Sequence, residues 1–115
     1  MAGGPESSDH LDTYYDFQGQ AIRLTQRQWS HIISRRSYMA GMREAIRGTL
    51  QDPEEVRRSR RDPNSVLLYY RRYSNTPAGD KLVCVVVKFL ENDAFVLTAY
   101  PTTMIKAGEL IWRKE

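Results

Sequence analysis

Thr98, Tyr100 and Thr102 alternate at the end of an apolar run, residues 94–100, that meets Pro101. With the period of two of a strand, Val96, Thr98 and Tyr100 point one way and Phe95, Leu97 and Ala99 the other. Pro101 has no N–H for a ladder, so pairing is expected to stop after Tyr100. Hydroxyls then gather where a strand leaves its sheet, with Thr102 and Thr103 just beyond. Such hydroxyls can orient a phosphate or hydrogen-bond a developing oxyanion, and a tyrosine ring can stack on a base. Tyr100 could act as a general base only if nearby cations pulled its pKa well below ~10. The plainer alternative is that Thr and Tyr are ordinary strand residues.

His31 is the second candidate. In a helix it falls roughly opposite the stripe Trp29, Ile32 and Ile33, and shares a face with Arg35 and Tyr38. An imidazole with a pKa near ~6.5 suits general acid–base work. The competing reading is a histidine on a solvated face. Arg35, Arg58, Arg60, Arg71 and Lys88 are candidates to hold phosphate, because the arginine fork matches phosphate oxygens. Alternation through residues 57–61 puts Arg58 and Arg60 on one face, and Arg57, Ser59 and Arg61 on the other. Lys88 ends a nearly all-apolar strand, which places its charge at a rim.

Other chemistry has little support. Two histidines and one cysteine cannot supply a usual zinc site, and no phosphate-binding loop or dinucleotide fingerprint is present. No cofactor is expected. Asp62 and Glu109 are the nearest carboxylates to a base role.

The elements that must position these groups come from 115 residues, enough for one small domain. Residues 1–12 read as a flexible tail and residues 13–115 as the single domain. No apolar run nears the ~20 residues of a membrane span, and the N-terminus lacks the pattern of a signal peptide. Cys84 is the sole cysteine and lies in an apolar strand, which suits a core position and a reducing, cytoplasmic setting. Net charge is +3, but the acids Glu6, Asp9, Asp12 and Asp16 have no Lys or Arg beside them in residues 1–22. The arginines cluster instead between Arg57 and Arg72.

A first strand is expected within residues 14–24, with Gly19 at a turn. Thr25-Gln26-Arg27-Gln28 reads as a capping box that starts a helix over about residues 26–38. Met39, Met42, Ala45, Ile46 and Leu50 mark a second helix, with a break near Gly41, stopped by Asp52-Pro53. Residues 56–61 read as a short, charged edge strand. Strong strands follow at 66–73, 82–90 and 94–100, the last two joined by the turn Glu91-Asn92-Asp93. Leu110-Ile111-Trp112 can add a last short strand. The order predicts an α+β fold, with an N-terminal strand and two helices packed on a small antiparallel sheet whose other face is partly open.

LTQRQWSHI, the later YYRRY and KLVCVVVK, and FVLTAYPT with IKAGELIW together resemble the phage-type branch of the nuclease superfamily that groups barnase, the EndoU nucleases, the colicin tRNases and RelE-like toxins. The resemblance covers about residues 14–112. It implies a barnase/RelE-like fold and a metal-independent ribonuclease, a toxin or phage-associated effector. RNA would be cleaved by attack of its 2′-hydroxyl, with His31 as acid or base and Thr98, Tyr100 and Thr102 orienting the phosphate. It also implies an acidic inhibitor, an antitoxin or immunity protein, as partner. Where the family pattern continues into a His-Pro-Glu-like segment, this chain has Arg36-Ser37-Tyr38. A second expectation follows from that departure: a catalytically silent module that keeps the fold and binds RNA or protein.

Overall fold

Thr25 Oγ1 accepts a hydrogen bond from the Gln28 N–H at 3.1 Å, and the first helix begins there. The computed structural model describes residues 9–106 and 108–115. In chain order the elements are β1 (His10–Tyr15), β2 (Ala21–Thr25), α1 (Gln26–Arg35), a 3-10 turn (Ser37–Gly41), α2 (Arg43–Gln51), β3 (Glu55–Arg58), β4 (Val66–Thr76), β5 (Gly79–Leu90), β6 (Asp93–Thr102) and β7 (Leu110–Arg113). The expected tail at 1–12 overlaps β1, since His10–Asp12 belong to that strand; residues 1–8 lie outside the described residues. The single strand expected at 14–24 is a hairpin, turned at Gly19 with a left-handed φ of 82° that suits glycine.

The strands form one seven-stranded sheet in the order β1-β2-β6-β5-β4-β3-β7. It is α+β as expected, but neither small nor wholly antiparallel. The helical crossover carries the chain from β2 to β3, on the far side of the central strands. Three antiparallel steps from β3 then return it to β6, which meets β2 in parallel through Arg23 and Phe95. The strand expected at the edge over 56–61 is shorter and interior, because β7 adds outside it.

One face lies under the helices. Ile32 of α1 and Ile46 and Leu50 of α2 are buried against Ile22, Leu24, Tyr69, Val83, Val85, Val87 and Val96. Trp29 and Ile33 pack beside them, as the helical stripe predicts. Asp16 is buried at 5% exposure in the same layer. It accepts from the backbone of Gln18 and Gln20, from Gln20 Nε2, and from the Tyr69 hydroxyl at 2.8 Å. Burial and that carboxylate push the Tyr69 pKa up, so the phenol remains the donor.

The other face carries Leu68, Tyr70 and Cys84, with Val86, Tyr100 and Ile105 against them. The chain must pass from β6 to β7 at the far edge. The helices hold one face, and Ile105 of the connection lies on this cluster on the other. Gly108 permits the close approach to β3, since a Cβ there would collide with the Arg58 carbonyl.

Candidate nucleic-acid interface

The site is shaped by a bulge in β6. Val86 faces Thr98 and Val87 faces Val96, which leaves Leu97 as the extra residue. Strict alternation therefore fails across it. Val96 joins the helix-side core, while Phe95, Leu97, Thr98 and Tyr100 all line the open face. The hydroxyls of Thr98 and Tyr100 do share a face, but with apolar companions that the simple pattern sent to the opposite side. β6 also runs on through Pro101, opposite Val83, to Thr102. Among the described residues β2 pairs with β6 only at Phe95, so this stretch of β6 has an edge without a strand. A proline is tolerated on such an edge.

Beside the connection that crosses the face lies a groove of about 740 Å³. Its floor is Leu68, Val86, Phe95, Leu97 and Tyr100, and its rim carries Arg60, Arg61, Asp62, Lys88 and Lys106. Lys106 is fixed at one end, where its backbone N–H donates to the Tyr70 hydroxyl at 3.1 Å and its Nζ lies 5.4 Å from the Tyr100 ring centroid. Arg36, just past α1, brings its guanidinium to 5.6 Å from the same ring. At the other end Lys88 Nζ is 3.0 Å from Asp62 Oδ2.

Apart from Lys88, the cations at the groove differ from most others among the described residues. Arg43 and Arg47 pair with Asp12, Arg57 and Arg113 with Glu55, Arg58 with Glu109, and Arg71 and Lys114 with Asp52. Arg36, Arg60, Arg61 and Lys106 form no ion pair among the described residues. Three positive charges on the groove lining, with Arg36 beside Tyr100, thus have no ion partner among the described residues.

Tyr100 is not a base in this setting. Burial is the largest influence on its phenol, followed by Cys84, and both raise its pKa; Arg36 acts in the opposite direction and is outweighed. The cations attract the ring without ionising the hydroxyl. Cys84 lies beneath it, its thiol pushed up to about 11 by burial although the hydroxyls of Tyr70 and Tyr100 hydrogen-bond to it. A thiol of that kind is a core group rather than a nucleophile.

Of the residues singled out in the sequence, the groove brings together Arg60, Lys88, Thr98 and Tyr100. His31 is exposed on α1 and is not part of the groove lining, and Arg35 is exposed in the last turn of the same helix. Thr102 Oγ1 is engaged in a local turn with Met104 N and O. Arg58 and Arg60 do not share a face, because β3 ends at Arg58 and the turn that follows breaks the alternation. Arg58 pairs with Glu109 at 2.9 Å and donates to Pro63 O at 3.0 Å, beside a different cavity. Arg71 lies on the helix side, within 3.8 Å of Asp52 and 3.3 Å of Gly48 O. Lys106, Arg36, Phe95 and Leu97 were not legible as site residues from spacing. Asp62 was legible only as a weak carboxylate candidate.

No group of three or more His, Cys, Asp or Glu among the described residues is arranged to hold a metal ion, and no helix among them is long and apolar enough to cross a membrane. No family model, curated protein or solved structure matches the chain.

Proposed function

We propose that the chain binds single-stranded RNA along the open-face groove, as a module that does not need to cleave what it holds. The observation that carries this reading is the meeting of Arg36, Arg60, Arg61 and Lys106, none ion-paired among the described residues, beside a floor with Phe95 and Tyr100. Cations that track a phosphate backbone beside aromatic rings that stack on bases are the two requirements for single-strand binding. A duplex presents its bases stacked and paired, so this floor has more to offer a strand whose bases are splayed out. The test is fluorescence anisotropy of the full chain with labelled single-stranded RNA, competed by duplex RNA and by an acidic polypeptide. Saturable binding that single-stranded RNA displaces best supports the reading. Preferential displacement by the acidic polypeptide would instead favour a protein partner, such as an inhibitor.

The second reading is the metal-independent ribonuclease implied by the barnase/RelE-like resemblance. It is favoured by His31, an exposed imidazole on the helix whose C-terminal neighbour Arg36 reaches Tyr100. Cleavage assayed in chelator decides it. On this reading the parent leaves cyclic-phosphate ends and His31→Ala loses roughly 10²–10⁴-fold in rate. RNA binding without product, by parent and variant alike, leaves the silent module.

A further inference from the structure

Asp62 is out of place in a groove built for anions. A carboxylate there repels phosphate, yet it is held firmly. Ser65 Oγ donates to Asp62 Oδ2 at 2.7 Å and Lys88 Nζ donates to the same oxygen at 3.0 Å. Both bonds fall on Oδ2, and the Ser65 backbone N–H acts on the carboxylate as well, so not all of its roughly four lone-pair sites are used. Ser65 and Lys88 hold the acid well below the usual carboxylate range, so near neutrality Asp62 is an acceptor only. Lys88 has three N–H donors and spends one on Asp62. The carboxylate, 41% exposed, and the ammonium, 30% exposed, therefore keep an acceptor and donors open to the groove, next to Phe95, which faces Lys88 across the ladder.

We infer that Asp62 and Lys88 form a base-reading pair that selects an exocyclic amino donor beside a ring-nitrogen acceptor, as on cytosine, and discriminates against uracil. The inference rests on the RNA-binding reading of the groove. Cytosine N4–H can donate to Asp62 Oδ1 while its N3 accepts from Lys88 Nζ, with the ring against Phe95. Uracil has the same size but the reverse pattern. Its O4 would face the carboxylate, and its N3–H would face the ammonium. The far end of the groove, with Arg36, Lys106 and Tyr100, is four residues along β5 from Lys88, measured from Cys84 opposite Tyr100. At a strand's rise that is roughly 13 Å, enough to separate the place where a phosphate is held from the place where a base is read.

The experiment measures the affinity of the full chain for oligocytidylate and oligouridylate of equal length, at neutral pH and fixed salt. The parent should bind the cytidylate about tenfold tighter, the worth of one good two-point base contact. Asp62→Asn should bring the ratio near one and strengthen uridylate binding, because a negative charge leaves the groove. Ser65→Ala removes the bond that shapes the turn but keeps the carboxylate, and should retain the preference. If Asp62→Asn keeps the parent's ratio while both oligomers bind, the inference is overturned and the RNA-binding reading stands. If Ser65→Ala loses the preference as fully as Asp62→Asn, Asp62 acts only through the turn, and the inference is again overturned. If the parent binds neither oligomer, the RNA-binding reading falls and takes the inference with it.

Discussion

Lys106 reaches Tyr100 from the connection that crosses the open face, with its Nζ 5.4 Å from the ring centroid. Its own backbone N–H is tied to the Tyr70 hydroxyl at 3.1 Å, on the neighbouring cluster. The side chain is thus aimed by a main-chain bond that survives its removal. A cation over an aromatic face is worth only ~0.5–1 kcal/mol at an exposed site, so Lys106 adds little to the fold and is available to a ligand.

Lys106→Ala should therefore leave thermal unfolding nearly unchanged. RNA affinity should fall by roughly tenfold, the loss expected of one charge-assisted contact. Anisotropy titration and a melting curve on the same preparation check both halves.

Tyr69→Phe tests the buried support beneath the sheet. The change removes the donor at 2.8 Å from Asp16 Oδ2 without altering the ring's volume. Asp16 keeps its bonds from Gln18 and Gln20 but loses the one that joins the β1–β2 turn to β4. Denaturant unfolding should show a loss of about 1.5–3 kcal/mol, as for a hydrogen bond to a charged group. RNA affinity at low denaturant should be unchanged, because the groove lies on the opposite face.

Asp93 gives a pH dependence of known sign. The Arg23 guanidinium hydrogen-bonds both of its oxygens, at 2.9 and 2.7 Å, and holds its pKa below the ordinary 3.8. A depressed folded-state pKa contributes stability that is present above the unfolded value and is lost as pH falls through the folded one. Parent stability should fall below about pH 4 in part through this group. Asp93→Asn should be somewhat less stable at neutral pH and should show a shallower acid limb. Urea midpoints measured from pH 2 to 7 would show an equally steep limb in the variant if the pair contributes nothing.

The local rules carried the fold furthest. The cap at Thr25, the stripe of Trp29, Ile32 and Ile33, and the hairpin around Glu91–Asp93 were all legible, because each is decided by neighbours in sequence. The parallel contact of Arg23 with Phe95 was not, since it depends on where the crossover returns the chain. The β6 bulge was equally hidden. One extra residue at Leu97 reverses the facing of Phe95 and Val96, and nothing in an apolar run announces it. The same limit applied to the groove. Arg60, Lys88, Thr98 and Tyr100 line it and were singled out by residue type and place along a strand, although the alternation around them breaks, whereas Lys106 and Arg36 reach Tyr100 from segments whose path only the tertiary structure defines. Arg58 and Arg71 look equally suited to phosphate on paper, but Glu109 and Asp52 neutralise them.

The central claim is that Arg36, Arg60, Arg61 and Lys106, at the groove, hold a phosphate backbone. The most direct measurement is the slope of log affinity against log salt for single-stranded RNA. Four engaged cations, Arg36, Arg60, Arg61 and Lys106, predict a slope of roughly −3, at about −0.7 for each phosphate neutralised. A chain with Arg60, Arg61 and Lys106 all replaced by alanine should retain its fold and give a slope near roughly −0.7. An unchanged slope in that folded variant, or no saturable binding by the parent at low salt, would contradict the account.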